Sequence, residues 1–283
     1  YADPFFNYYS SIGVKHSLRS RILYKDSQLS NNQRNKSTVI YGDYQLKKDF
    51  MKTIDLEAIF GVSAQYVISN ATLYTGSGSP DHNLFNLSVY AEFEKKLWNL
   101  INFSFGLRAE YYNLNDELKA TKPIFRVGAN MKLMQETYLR MSYGQGYRFP
   151  TIAERYISTS VGTFGVFDNP DLQPETSWNA ELGLKQGFKF YKFFGYFDIV
   201  GFWQEYANTI EYLFGFWDPT YEFALAGFKF LNTGKSKVTG IDLSLTGKAE
   251  INPNFSFTTI FGYNYIMPVT LEPDYVFAHD YNP

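Results

Sequence analysis

The sequence predicts an all-β protein and, more narrowly, a transmembrane antiparallel β-barrel. Three observations carry that reading. Apolar and polar residues alternate with a period of two along much of the chain, the pattern of strands that are wet on one face only. Many alternating runs reach ten residues or more, whereas soluble strands run to about 5–6 residues and membrane-barrel strands need about 9–11. The connections are tight and long by turns, as in outer-membrane barrels with short turns at one rim and long outward loops at the other.

Along the chain, runs at 13–24 and 37–47 alternate loosely. Residues 53–68 are strict, with Ile54, Leu56, Ala58, Phe60, Val62, Ala64, Tyr66 and Ile68 against Asp55, Glu57, Ser63 and Gln65. Residues 85–94 set Phe85, Leu87, Val89, Ala91 and Phe93 against Asn86, Ser88, Tyr90, Glu92 and Glu94. Residues 101–112 repeat the plan from Ile101 to Tyr111 against Arg108 and Glu110. Weaker runs follow at 123–133 and 137–144, a strong one at 175–185, a weak one at 193–212, and strong ones at 238–248 and 255–265. That makes about eleven strands. Tight turns are expected at 47–49, 95–98, 134–136, 187–189 and 252–254, and long loops at 25–36, 69–83, 113–122, 145–174, 213–229 and from 267 onward.

Composition agrees. Aromatic residues make up 19% of the chain, including 24 Tyr and 27 Phe; such residues suit pleated surfaces and membrane interfaces. Tyr66, Trp98, Tyr111, Tyr143, Tyr263 and Tyr265 are placed to form the aromatic girdles. Asp55, Glu57, Glu92, Arg108, Glu110, Arg126, Lys132, Arg140, Glu181 and Asp242 fall in the polar register, which predicts a wet, charged lumen. A soluble sandwich or propeller would use shorter strands. Net charge is −2 with no basic tract, so nucleic acid is not an expected partner. Cysteine is absent, which excludes disulfides and thiolate chemistry. No apolar run approaches the ~18 residues of a membrane helix. No secretory leader opens the chain, and residues 1–283 read as part of one barrel domain whose remaining strands lie beyond both ends.

The stretch 139–181 is the most specific. It contains Tyr147-Arg148-Phe149-Pro150 with Glu154, then Asn169-Pro170-Asp171-Leu172-Gln173-Pro174-Glu175, and then Glu181-Leu182-Gly183. A later element is Asn232-Thr233-Gly234-Lys235-Ser236 with Gly240-Ile241-Asp242. These motifs resemble the signature of the TonB-dependent outer-membrane receptors, with Phe149 where Ala is commoner. The resemblance implies a barrel of about 22 strands, of which this chain is the middle-to-late half, in the outer membrane of a Gram-negative bacterium. It implies a plug domain upstream and energy from the TonB–ExbB–ExbD complex acting through that plug. The implied function is active import of a scarce nutrient complex, a ferric siderophore first. A glycan or peptide importer of the SusC-like kind, working with a surface lipoprotein, and a passive porin-type channel are the alternatives. Membrane lipid and lipopolysaccharide are the implied surroundings.

Site readings are of two kinds. Arg148, where a strand leaves the membrane, either meets an anionic ligand or the plug, or pairs with Glu154 or Glu175 to pin the long loop; the second reading is preferred because Arg–carboxylate pairs fix geometry. Pro150, Pro170 and Pro174 mark where strand pairing ends. Tyr147, Tyr156, Phe164, Phe167, Tyr212, Phe214, Phe216, Trp217 and Tyr221 form the candidate ligand surface, since aromatics give contact area at low entropic cost; packing of loop on loop is the other reading. His82 and His279 are expected as solvated loop residues, and no two of the three histidines have metal-ligand spacing. No His lies in 151–168, which weighs against haem. No catalytic group, metal site or cofactor is expected.

Overall fold

The alternating runs become strands that pair with their neighbours in sequence. In the computed structural model, which describes residues 1–28, 33–217 and 226–272, the wall begins with β1 (Phe5–Tyr9), β2 (Val14–Gln28), β3 (Arg34–Asp49) and β4 (Leu56–Ala71). It continues through β5 (Asp81–Leu97), β6 (Ile101–Leu114), β7 (Leu118–Met134) and β8 (Thr137–Arg148). The next loop carries β9 (Thr159–Val161) and β10 (Phe164–Phe167). Strands β11 (Glu175–Phe190) and β12 (Phe193–Ala207) resume the wall. Strands β13 (Ile210–Phe216) and β14 (Ala226–Asn232) lie in the following loop, and β15 (Ser236–Asn252) and β16 (Phe255–Thr270) complete the described wall.

The wall is a 12-stranded sheet in the order β1 to β8, β11, β12, β15, β16, and the other four strands form a separate sheet in the order β13-β14-β10-β9. Every pairing in the wall is antiparallel. Phe60, Ile68, Val89, Leu107, Met141, Leu182 and Ile241 point outward and exposed, as lipid-facing residues must. On the opposite face the charges pair with each other: Lys47 with Glu57 at 2.6 Å, Arg108 with Glu110 at 2.9 Å and Arg140 with Asp198 at 3.1 Å.

Several expectations are corrected. The wall has one more strand than expected; β1 is only five residues of mostly aromatic sequence, too short for alternation to register. The expected long loop at 113–122 is a tight hairpin, because Asn115 and Asp116 both take positive φ and let β6 run straight into β7. Residues 53–55 leave the strand: Met51–Ile54 form a short helical turn (α1) that ends on left-handed Asp55, which lies at the inner rim instead of in the lumen. The expected turns at 47–49, 95–98 and 187–189 begin too early. Each strand continues to a reversal, at Trp98-Asn99 and Tyr191 through a left-handed residue. The run 193–212 is two strands, broken at Asn208 with φ of 58°. Loops 145–174 and 213–229 contain strands rather than irregular chain.

Candidate functional site

The outer rim between β8 and β11 is where the signature residues meet. Arg148 ends β8 directly opposite Glu175, the first residue of β11. Its Nε and Nη2 donate to Glu175 at 2.8 Å each, and its Nη1 donates to Glu154 at 2.7 and 2.9 Å. The guanidinium therefore ties both ends of the loop together, as its fixed fork of donors allows. Glu154 is placed by a second helical turn, α2 (Ile152–Tyr156), which starts with a reciprocal cap between Thr151 and Glu154. Glu175 also accepts the backbone N–H of Ile210 at 2.5 Å, so the next outer loop hangs on the same carboxylate.

The remaining signature residues continue this bracing. Pro150 is fully buried and its carbonyl accepts the Tyr112 hydroxyl. Asn169 donates to the Phe230 carbonyl at 2.8 Å and caps its own turn at Pro170 through Asp171 N. Leu172 is fully buried, and Pro174 leads into β11. Asn232 bonds Gln173 in both directions, at 2.8 and 2.9 Å, and donates to the Asn208 carbonyl at 2.8 Å. Gly234 lies in the link to β15. A side chain at Gly240 would meet the Tyr265 carbonyl at 2.3 Å and the Phe202 ring at 2.4 Å. Glu181 lies opposite Ser142 and Phe202 on the lumen face.

The aromatic candidates divide. Tyr147 donates its hydroxyl to Glu110 and lies against Phe149, which stacks on Tyr112 at 4.2 Å. Tyr156 is only 4% exposed, stacks on His82 at 4.0 Å and donates to Glu117 at 2.5 Å. Burial first, and then the neighbouring Glu117, push the Tyr156 phenol up to about 12. His82 is itself buried, between Tyr74 and Tyr156, with Nδ1 on the Asn115 amide at 2.6 Å. It is no solvated loop residue; burial lowers its pKa below the ordinary histidine value. Trp217 is buried, with Nε1 donating to the Gly227 carbonyl at 2.9 Å, and Phe167 covers Gly165 in the loop sheet. Tyr221 and His279 fall outside the described residues.

An exposed aromatic face remains. Tyr212 and Phe214 of β13 stand opposite Phe230 and Phe228 of β14. Tyr212 stacks on Phe228 at 4.9 Å and leans on Phe230 at 4.6 Å, and Phe214 meets Phe228 and Phe164 edge-on at 5.1 and 5.2 Å. Phe228 and Phe230 were not singled out by sequence reasoning, since their contribution depends on a strand pairing between loops. Glu110 was read only as a lumen charge, and Tyr112 and Glu117 were missed, because their partners Tyr147, Pro150 and Tyr156 lie more than thirty residues away. Among the described residues, no cluster of His, Cys, Asp or Glu could hold a metal ion.

The family model described as TonB dependent receptor-like, beta-barrel, matches residues 1–282. The chain belongs to that family. It is an outer-membrane protein of a Gram-negative bacterium, in a family of receptors and transporters. The siderophore receptor PirA from Pseudomonas aeruginosa superposes with a TM-score of 0.76 at 15% identity, over 93% of this chain and 48% of that one. The Serratia marcescens hemophore receptor HasR, solved with its hemophore HasA and heme, gives 0.61 at 13% identity over 93% of this chain and 53% of that one. Hemoglobin and hemoglobin-haptoglobin-binding protein C of Haemophilus influenzae is 27% identical over 123 residues, 42% of this chain and 11% of that protein. The chain thus spans about half of these two solved receptors and matches a small part of the curated relatives.

Proposed function

We propose that residues 1–283 are one stretch of a single barrel domain in a receptor that imports a ferric chelate, a siderophore, across the outer membrane. TonB–ExbB–ExbD would supply the energy through a plug upstream. The observation that carries the cargo reading is the aromatic face of the loop sheet, on which Tyr212 and Phe214 are 45% and 43% exposed. Flat rings with little formal charge suit the aryl groups that surround iron in many chelates. Phe164 and Tyr212 would touch cargo. Tyr147, Arg148, Tyr156, Phe167 and Trp217 would hold the surface in shape, with Arg148 free to meet an anionic cargo only by giving up a carboxylate.

A second reading has its own support: the names of the curated relatives point to haemoglobin, so iron could arrive as haem on a protein. The test uses the full-length receptor. A deletion strain is grown on a ferric aryl siderophore, on haemoglobin or on glycans as the limiting nutrient. Loss of growth on the siderophore alone is expected. Loss confined to haemoglobin installs the second reading, and unchanged iron uptake with lost glycan growth overturns both. Replacing Tyr212 and Phe214 by Ala should weaken siderophore binding about tenfold or more, since each ring contributes ~1 kcal/mol beyond its buried area; equilibrium fluorescence titration reads it.

A further inference from the structure

Two arginines bracket the start of the loop after β8, and they are served very differently. Arg148 donates to both Glu154 and Glu175. Arg155, on α2, is only 5% exposed, and its Nε and Nη1 have no hydrogen-bond partner. Among the described residues it joins no ion pair. The carboxylates beside it are already engaged: Glu154 holds Thr151 and Arg148, and Glu117 takes the Tyr156 hydroxyl. What the guanidinium has is the Tyr156 ring, whose centre lies 5.5 Å from its carbon.

The sequence dictates this position. Ile152, Arg155 and Tyr156 stand at i, i+3 and i+4, so they share one side of a helical turn. That side is buried, and Ile152 and Tyr156 belong to the apolar cluster that seats the loop on the rim. Arg155 is drawn in with them, and a buried charge without a partner is strongly unfavourable. Besides the Arg148 fork, backbone bonds hold the turn down, from Ser158 N–H to the Leu73 carbonyl at 2.7 Å and from Asn169 N–H to the Arg155 carbonyl at 2.8 Å. None of these belongs to the barrel ladder, so α2 can lift while the wall stays paired. Next to α2 is a lumen-side cavity of about 400 Å³, lined by Tyr112, Arg148, Phe149, Pro150 and Thr151 among others. Thr151 caps α2, and Arg155 is close enough for its charge to act on Tyr112. Lifting α2 therefore sets Arg155 beside the mouth of that cavity.

We propose that Arg155 is a concealed anion receptor that makes α2 a gate, opened by a cargo chelate carrying an ionised acidic group. An anion reaches the guanidinium only when α2 lifts. Its binding therefore favours the open state alone, which is what a gating ligand requires. Unlike Arg148, Arg155 gives up no carboxylate to receive it. The proposal rests on the importer reading and deepens it, by selecting anionic chelates over neutral ones.

The test compares the full-length receptor with its Arg155→Met variant, which removes the charge and keeps an apolar stem. Without ligand, hydrogen-exchange protection of the Ser158 and Asn169 amides should rise about tenfold or more in the variant. Unchanged or lower protection overturns the gate. Fluorescence titration then sets the anionic ferric tricatecholate against a neutral ferric trihydroxamate. Wild type should prefer the tricatecholate, and the variant should lose about tenfold on it and nothing on the trihydroxamate. Equal losses on both, or none on either, overturn the anion assignment while the importer reading stands. Failure of wild type to bind either chelate overturns the importer reading itself, and the chelate assignment with it. Should Arg155→Met not assemble, Arg155→Gln drops the charge and stays polar. It must shift both readouts in the same direction, or the proposal falls.

Discussion

At the residue scale, Arg148 shows how one side chain can brace a long loop. A single guanidinium satisfies two partly buried carboxylates from opposite ends of a loop. Arg148→Lys keeps the charge and loses the fork, so Arg148→Lys and Arg148→Ala should both loosen the loop by about 1–3 kcal/mol. Faster cleavage between residues 151 and 174 in limited proteolysis of the full receptor checks this. His82 gives a pH dependence with a definite sign. Its folded pKa lies below the ordinary value, so the unfolded cap binds the proton first. The stabilisation is complete above about pH 6.5 and is lost as pH falls from there toward the folded pKa. Glu117, Asp81, Asn115, Tyr74 and Tyr156 surround the ring, and the two carboxylates oppose the shift without reversing it. Protection factors in 72–82, taken relative to the slower intrinsic exchange at low pH, should therefore fall on acidification in wild type, and the His82→Phe variant should lack that response.

At the element scale, the end of β8 and the loop after it are fastened to the β6–β7 hairpin through three phenols. Tyr147 reaches Glu110, Tyr112 reaches the Pro150 carbonyl and Tyr156 reaches Glu117. Beneath them lies a small core of Ala71, Tyr74, Tyr112, Leu114, Phe149, Ile152 and Tyr156. Each Tyr→Phe change keeps the ring and removes one hydrogen bond, at a cost of about 0.5–1.5 kcal/mol. The triple variant should lose protection throughout 149–174 while the barrel strands keep theirs, which peptide-level hydrogen exchange can separate. Uniform loss of protection across β6 to β8 would instead mean that loop and wall unfold as one unit.

At the scale of the whole molecule, the wall has, among the described residues, an edge at β1 and another at β16. A hydrocarbon environment leaves unpaired edges unsatisfied. Residues 1–283 refolded alone in detergent should therefore self-associate through those edges. Light scattering coupled to gel filtration is expected to give species larger than a monomer, and a monodisperse, heat-resistant monomer would contradict the edge argument.

Much of the wall was legible in sequence because period-two alternation is local. Residues 85–94 and 101–112 declared both their strands and their lipid face without reference to anything distant. Signature residues such as Arg148 and Glu175 could be paired in advance because the two charges flank one loop. The candidate surface was less legible. Tyr156 and Trp217 read as exposed ligand contacts, yet they are buried by partners 39 and 10 residues away. The loop sheet joins β10 to β14 in parallel, a pairing across some sixty residues that no local pattern announces. Sequence by itself determined the faces, the strand ladder and the family, since each depends on neighbours along the chain. Only the tertiary structure decided which aromatics stay exposed and which phenols fasten the loop, because each of these depends on which distant backbone a side chain meets.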